Sequence, residues 1–231
     1  MLIPGNAILS SDTHFGDKNI YKFVRGRKQL KSKQTSVEEE VFNRIWKKDP
    51  SVPVFLLGDF AFNGLSNYVG LFKQKGISDT IFLPGNHDKA SYSSYEKNLN
   101  FSVVKGVYLN GNKLTHINYS KYPFLNAIIQ DINGVRIMFS HFPVFDFSPH
   151  DKEKEFYRSI KVLEELYRRY NCELNIHGHT HNKNSNYNHS VNVCFDVNFE
   201  SFELKDILNE FINFKNKKYG NIPQKKEINN G

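Results

Sequence analysis

The sequence has few cysteines and no long apolar run. Its two cysteines, Cys172 and Cys194, form no short spacing, which fits a reduced cytoplasmic protein better than a disulfide framework. No apolar run approaches the roughly 20 residues that a membrane-spanning helix requires. The start, Met1 to Gly5, carries no basic residue before the next apolar stretch, so we expect no signal peptide. These absences predict a cytoplasmic protein with no membrane partner.

The length of 231 residues is sufficient for one full domain with a large core. Hydrophobic residues make up 39% of the chain and charged residues 24%, as in ordinary globular proteins. No internal repeat and no linker divides the sequence. We therefore expect a single domain over residues 1–214, followed by a basic, flexible tail over residues 215–231.

The net charge of +7 is unevenly distributed along the chain. Residues 18–33 contain seven basic side chains and no acidic one. Such a segment can contact phosphate or nucleic acid, or it can be an ordinary solvated face, and we keep both interpretations. Within it, Arg25 and Arg27 are candidate contacts for a substrate phosphate. For the basic tail we favour the solvated interpretation.

Helical and strand-like segments alternate, which indicates an α/β domain. Ser36 and Glu39 form a capping box that begins one helix. Residues 89–126 contain only short strand-like pieces between two polar clusters, and we expect them to form a flap or rim. Apolar periodicity and an Asn-Gly turn predict three further helices and one hairpin, at residues 65–75, 153–170, 204–214 and 127–139.

Histidine, carboxylate and amide side chains recur directly after five strand-like apolar segments. Buried polar groups at five strand ends would each cost free energy without a partner. A metal ion is a partner that accepts carboxylate, amide oxygen and imidazole ligands together. The five clusters therefore predict a shared metal site. They are Asp12-Thr13-His14, Gly58-Asp59, Gly85-Asn86-His87-Asp88, Ser140-His141 and Gly178-His179-Thr180-His181.

The spacing inside the clusters fits such a site. Residues i and i+2 of a strand point to the same face, so Asp12 and His14 can reach one ion together. Asp59 can offer one carboxylate oxygen to each of two ions. Asn86 and His87 are neighbours that point different ways, so one can bind metal while the other faces substrate. A single such cluster also fits a hydrogen-bonded core or surface residue, and it is the number of clusters that favours metal.

The order of the five motifs resembles that of the calcineurin-like metallophosphoesterases, from about residue 9 to residue 181. Ser11 to Gly16, with Asn192 to Val197, is further similar to a compact bacterial and phage subgroup of predicted phosphoesterases. The resemblance implies an α/β fold in which two mixed β-sheets pack as a sandwich with helices on both outer faces. It also implies two divalent metal ions at the strand ends.

The resemblance assigns a role to each motif residue. One ion would be held by Asp12, His14, Asp59 and His181. The other would be held by Asp59, Asn86, His141 and His179, so that Asp59 bridges the two ions. His87 would be the catalytic acid, and Asp88 would orient its ring. The ligand types suit Mn²⁺, which we favour, and also Fe, Zn²⁺ or Ni²⁺.

The implied activity is hydrolysis of a phosphate ester by hydroxide, with a small phosphodiester or a nucleotide as the favoured substrate. Asp17 replaces the His that often follows Phe-Gly in the subgroup. The residues after Asp59, Phe60 to Gly64, lack the Arg of the Ser/Thr protein phosphatases, which disfavours a phosphoprotein substrate. Two alternatives remain open. One is a nuclease that binds DNA or RNA through residues 18–33, and the other is a non-catalytic metal-binding scaffold or nucleic-acid binder.

Overall fold

The computed structural model describes residues 1–62, 64–145, 151–152, 154–181 and 189–219. Within these ranges, strands and helices alternate along the chain. The strands are β1 (Ile8–Ser10), β2 (Val54–Leu56), β3 (Thr80–Phe82), β4 (Ser102–Val103), β5 (Val107–Leu109), β6 (Asn112–Lys113), β7 (Ala127–Ile132), β8 (Val135–Ser140), β9 (Leu174–His177), β10 (Ser190–Asn192) and β11 (Phe202–Glu203). The α-helices are α1 (Ile20–Phe23), α2 (Val37–Trp46), α3 (Val69–Phe72), α4 (Tyr92–Leu99), α5 (Tyr157–Arg169) and α6 (Leu204–Tyr219).

The strands form two mixed sheets, as the sequence predicted. The first sheet has the order β11-β1-β2-β3-β4 and is parallel except for β11. The second has the order β10-β9-β8-β7-β5-β6, with antiparallel pairs at β8–β7 and β5–β6. Because β1, β2 and β3 are parallel, their carboxyl ends meet at one edge of the first sheet.

The two sheets pack face to face around an apolar core. Leu9 and Phe55 from the first sheet meet Phe139 and Ile176 from the second in a single buried cluster. Alternate residues point the other way, since successive side chains of a strand face opposite sides. Ile8 of β1 is thus in a different cluster from its neighbour Leu9.

Helices cover the outer faces of both sheets. Phe42 and Trp46 of α2 are fully buried in the cluster that contains the outward side chains of β1 and β2. Ile160 and Leu163 of α5 are fully buried against the second sheet. The order of layers is therefore helix, sheet, sheet, helix, which confirms the predicted sandwich.

Several local predictions are confirmed and others need correction. The Ser36–Glu39 capping box is present at the start of α2, and Asn133 and Gly134 adopt the positive φ angles of a tight hairpin turn. Helix α6, however, continues to Tyr219, so the predicted boundary at residue 214 is wrong. The remainder of the predicted tail lies outside the described residues.

The prediction of a flap or rim over residues 89–126 is also wrong. This stretch contains α4, adds β4 to the edge of the first sheet and places β5 beside β7 in the second. It is the connection that carries the chain from one sheet to the other. Its polar composition obscured strands of only two or three residues, which are too short for a clear alternation of polar and apolar side chains.

Both cysteines are buried and unpaired. None of the helices in the described ranges combines the length and the apolar character needed to cross a bilayer.

Candidate metal centre

Residues that follow the carboxyl ends of β1 and β9 form a first group of potential ligands. The Oδ1 atom of Asp12 lies 3.7 Å from Nε2 of His14 and 3.9 Å from Nε2 of His181. One ligand atom from each of the three side chains falls within 4.8 Å of the other two. A carboxylate and two imidazoles at this separation can surround a single divalent ion.

A second group follows β2, β3, β8 and β9. Asp59, His141 and His179 also offer ligand atoms that lie within 4.8 Å of one another. The Nε2 atom of His141 is 3.4 Å from Oδ2 of Asp59 and 3.1 Å from Oδ1 of Asn86. The structure thus brings together all seven residues that were expected to bind metal, in two adjacent groups.

Asp59 connects the two groups. Its Oδ2 atom faces both, at 3.7 Å from Nε2 of His14 and 3.4 Å from Nε2 of His141. Its Oδ1 atom accepts a hydrogen bond from the backbone N–H of His87 at 2.9 Å. The same oxygen therefore faces both groups, whereas the sequence suggested one oxygen for each ion.

Unpaired buried atoms at this point indicate that a cation fits. Oδ1 of Asp12 and both ring nitrogens of His14 are buried and have no hydrogen-bond partner within the described part of the chain. A buried carboxylate oxygen or imidazole without a partner is costly, and coordination of a metal ion would remove that cost. The donor set of carboxylate, amide oxygen and imidazole suits two divalent ions.

The backbone of the site is unusual. Asp12, His14, Asp59 and His179 all have φ between 48° and 67°, a region that residues other than glycine rarely occupy. Such conformations are unfavourable and cluster at functional sites, where surrounding contacts hold them. The turns direct several ligands from different strands toward one point.

Gly178 permits the two sheets to approach each other closely at the site. A Cβ atom at this position would overlap Oγ of Ser11 and Oδ2 of Asp12. Its neighbour His179 donates its backbone N–H to that same Asp12 oxygen, at 2.9 Å. Any larger residue at position 178 would separate the ligands that follow β1 from those that follow β9.

Charges within the site shift the ionisation of the ligands. Burial would raise the pKa of Asp12 and of Asp59, but the neighbouring histidines outweigh it and hold both well below their usual range. Burial would lower the pKa of His141, but the charges of Asp59 and Asp12 outweigh it and raise that pKa to about 9. The site is thus built to keep carboxylates ionised and to attract positive charge.

Three of the four histidine ligands have their second ring nitrogen fixed by an oxygen that can only accept. Nδ1 of His141 lies 2.8 Å from the carbonyl of Leu57, and Nδ1 of His181 lies 2.6 Å from Asp196. Nε2 of His179 lies 3.4 Å from Asp151. Each contact requires a proton on that nitrogen, so that the other nitrogen is the one that a metal ion can bind once the ring is neutral.

The sequence reasoning gave Asp151 and Asp196 no role. Asp196 lies in a segment that carried the subgroup resemblance, so its position was a usable signal. Asp151 was not singled out by any motif, and only the fold brings it to His179.

His87 lies beside the two groups. Its ring centroid is 5.3 Å from that of His14 and 5.7 Å from that of Phe62. Burial lowers the pKa of His87, so its ring favours the neutral form. The imidazole is half-buried and is placed close to where a reacting phosphate would lie between the two groups.

The expected contact between Asp88 and the ring of His87 is not found. The Asp88 carboxylate accepts hydrogen bonds from the backbone N–H groups of Asp59, Phe60 and Gly85, and from the hydroxyl of Tyr95. Among the described residues, the imidazole of His87 is not one of its partners. Burial and the charge of Asp59 raise the pKa of Asp88 to about 7. Asp88 therefore holds the turns that carry Asp59 and Asn86. The prediction that Asp88 orients the ring of His87 is wrong.

The two arginines expected to contact substrate differ in exposure. Arg25 is exposed, whereas Arg27 is only 2% exposed and points into the protein. Its guanidinium pairs with Asp196 and donates to the backbone carbonyls of Asp12 and Thr13. The prediction that Arg27 binds substrate is therefore wrong, because a fully engaged and buried guanidinium cannot reach a phosphate.

Comparison with known proteins agrees with this geometry. Residues 7–183 match the family model described as calcineurin-like phosphoesterase. The chain belongs to this family. Its members are metal-dependent phosphoric ester hydrolases with a dinuclear centre, so this chain is such a hydrolase, and the structure has two groups of candidate ligands.

A solved structure gives independent support for the fold. The protein of unknown function AQ665 from Aquifex aeolicus superimposes with a TM-score of 0.64 at 22% sequence identity. The alignment covers 89% of this chain and 98% of the other. At this identity the likeness establishes the architecture alone. No curated protein matches the chain in sequence.

We predict that Asp59→Asn weakens both ions and reduces the turnover of any accepted ester at least ~100-fold. Substituting a residue that only orients a metal ligand already lowers metal affinity or activity about 10–100-fold. The amide of asparagine also lacks the negative charge that attracts two cations. Metal content by plasma mass spectrometry and steady-state rates would test this. Wild-type occupancy with a wild-type rate would exclude Asp59 as the shared ligand.

We also predict that metal binding releases protons at neutral pH. Because the pKa of His141 is raised to about 9, its ring carries a proton at pH 7 that an incoming ion must displace. Affinity for Mn²⁺ should therefore rise from pH 6.5 to pH 9 and level off above it. Calorimetric titration in buffers of different ionisation enthalpy would measure the protons released. An affinity that does not vary over this range would contradict the expectation.

Proposed function

We propose that the chain hydrolyses a small phosphodiester or a nucleotide with the help of two Mn²⁺ ions. The observation that carries this proposal is the position of Asp59, one oxygen of which faces both ligand groups. When bound, two divalent ions supply an activated water and neutralise the charge of phosphoryl oxygens. Mn²⁺ is favoured because it accepts the mixed carboxylate, amide and imidazole set, as Fe, Zn²⁺ and Ni²⁺ also do.

The residues of the chain divide the work in this proposal. Asp12, His14 and His181 would hold one ion, and Asn86, His141 and His179 would hold the other, with Asp59 shared. His87 donates a proton to the leaving oxygen. Burial favours its neutral form, so its proton must be stabilised by the arriving phosphate, whose negative charge raises an imidazole pKa. Asp88 acts by keeping the turns of Asp59 and Asn86 in place.

A cavity that is separated from His87 by the ring of Phe62 has the size of a site for a small substrate. It has a volume of about 340 Å³, near the lower end for small-molecule sites. Phe62, whose ring contacts His87, forms part of its wall together with Leu65, Lys89 and Tyr95. The missing Arg after Asp59 further disfavours a phosphoprotein.

The proposal is tested by a substrate panel with Mn²⁺ that covers phosphomonoesters, linear diesters, cyclic nucleotides and single-stranded DNA. We expect a diester or nucleotide to give the highest kcat/KM, with no activity after chelation. A preference for phosphomonoesters that lack a base or second ester group would contradict the substrate class.

A further prediction concerns His87. His87→Ala should retain both metal ions and lose about 10²–10⁴-fold in rate on an ester with an alkyl leaving group. The loss should be much smaller for a nitrophenyl ester, because nitrophenolate needs little protonation to leave. The ratio of the two losses is the informative measurement, and Lys89→Ala nearby serves as a control for altered binding. Equal losses on both esters, or loss of metal, would rule out the acid role.

A nuclease activity is the second candidate, and one observation favours it. Residues 18–33 contact the site through Arg27, and in them Phe23 is 81% exposed beside the exposed Lys22 and Arg25. An exposed aromatic ring among basic side chains is a surface on which single-stranded nucleic acid can stack. The function of this segment would then be to bind polynucleotide beside the metal site.

If this candidate holds, the affinity for single-stranded DNA should fall as salt is added. A plot of the logarithm of the association constant against the logarithm of the salt concentration should have a slope of roughly −0.7 per phosphate contacted. The substitutions Arg25→Gln and Lys28→Gln should make this salt dependence less steep. Phe23→Ala should lower the affinity for single-stranded DNA and leave the salt dependence unchanged. Neutralising Lys161 and Arg168 on α5 is the control for total charge. Undetectable binding at low salt would exclude the nuclease and leave the small-substrate proposal in place.

A further inference from the structure

We propose that Arg27 and Asp196 are positioning residues for the first metal ion. In this proposal Asp196 fixes the ring of His181, and Arg27 fixes the backbone that carries Asp12 and His14. The inference rests on the proposed dinuclear function and assigns a task to two residues that do not themselves touch an ion.

The pair is fully enclosed. The side chain of Arg27 is 2% exposed and that of Asp196 is 0% exposed, and Nε of the arginine donates to Oδ1 of the aspartate. The guanidinium also lies 5.8 Å from the ring centroid of Phe195. A buried ion pair is weak support for stability, because removing two charges from water is expensive. This pair therefore needs another explanation, and its remaining contacts give one.

The second oxygen of Asp196 is directed at a metal ligand. Oδ2 lies 2.6 Å from Nδ1 of His181, and a carboxylate can only accept, so the proton is on Nδ1. In the neutral imidazole, Nε2 of His181 is then the nitrogen without a proton, and it faces Asp12 Oδ1 at 3.9 Å. Asp196 thus selects the tautomer that can bind the first ion, as outer carboxylates do at metal sites.

The remaining nitrogens of Arg27 hold the other two ligands of the same ion. One terminal nitrogen donates to the carbonyl of Thr13 at 2.6 Å, and the other donates to the carbonyl of Asp12. Asp12 and His14 have φ angles of 57° and 48°, which are unfavourable for these residues. Two charge-assisted hydrogen bonds from one rigid guanidinium offset that cost and fix the direction of the turn.

The arrangement also excludes a competing metal position. His181, Cys194 and Asp196 offer ligand atoms within 4.8 Å of one another. The positive charge of Arg27, which is paired with Asp196 inside the protein, opposes a cation there. The pair therefore directs the ion toward Nε2 of His181 and away from Nδ1.

The test uses Asp196→Asn and Arg27→Lys in the full chain. In Asp196→Asn the amide oxygen should turn toward Arg27, so the amide N–H faces Nδ1 of His181 and moves the imidazole proton to Nε2. In Arg27→Lys the charge remains, but one ammonium cannot reach Asp196 and both carbonyls. The control is Arg136→Lys with Asp131→Asn, an ion pair that is more than a third exposed and lies on the β7–β8 hairpin.

Calorimetric titration with Mn²⁺ is the main measurement, and thermal unfolding without metal reports any purely structural loss. We expect both variants to bind one of the two ions about 10–100-fold less tightly than wild type, with the other ion within about threefold. The metal-induced rise in Tm should shrink in both, and the control should match wild type. The proposal would be overturned if both variants fold and each has the same two Mn²⁺ dissociation constants as the wild type.

A measurement on the wild type covers the case in which the variants do not fold. With Zn²⁺ bound, long-range ¹H–¹⁵N correlation should show a proton on Nδ1 of His181 and none on Nε2, with the ring identified by its loss in His181→Gln. The opposite assignment would refute the positioning role of Asp196. Failure of the proposed function would be seen in the wild type itself, which would then bind no ions or would hydrolyse no diester or nucleotide in the substrate panel.

Discussion

The Asp59 carboxylate is the interaction on which the site depends. One of its oxygens faces His14 on one side and His141 on the other, and the other oxygen is fixed by the backbone of His87. Asp12 adds a second buried carboxylate with an oxygen that has no hydrogen-bond partner among the described residues. Two ionised carboxylates in a space this small require positive charge between the ligand groups, which divalent ions supply.

The fold gathers the ligands because the ends of five strands lie close together. Parallel strands β1, β2 and β3 end at the same edge, and β8 and β9 approach it from the second sheet. Tight turns with positive φ then direct the side chains inward. These turns are held by hydrogen bonds to residues outside the ligand set. Asp88 holds the turn of Asp59, and Arg27 holds that of Asp12. We therefore propose that the affinity of the centre depends on residues outside the ligand set, such as Asp88 and Arg27.

The family resemblance correctly implied the sandwich, and the candidate ligands could be located because each cluster of them is local in sequence. Short apolar runs predict strands, and the polar residues directly after them predict what the strand ends carry. Sequence reasoning failed where the partner is distant along the chain. Arg27 lies in a basic segment for which we expected contact with substrate or with solvent, and only folding brings it to Asp196, 169 residues away. Asp88 stands beside His87 in sequence, yet its carboxylate turns toward three backbone amides, which adjacency cannot reveal.

The central claim is that one carboxylate joins two ions in a single centre, and electron paramagnetic resonance of the Mn²⁺-loaded chain tests it most directly. With two Mn²⁺ per chain, the account predicts the broad, temperature-dependent signal of an exchange-coupled pair. It also predicts that the signal of isolated Mn²⁺ is absent at saturating metal. Two equivalents that give only the six-line signal of uncoupled ions, or saturation at one ion per chain, would contradict it.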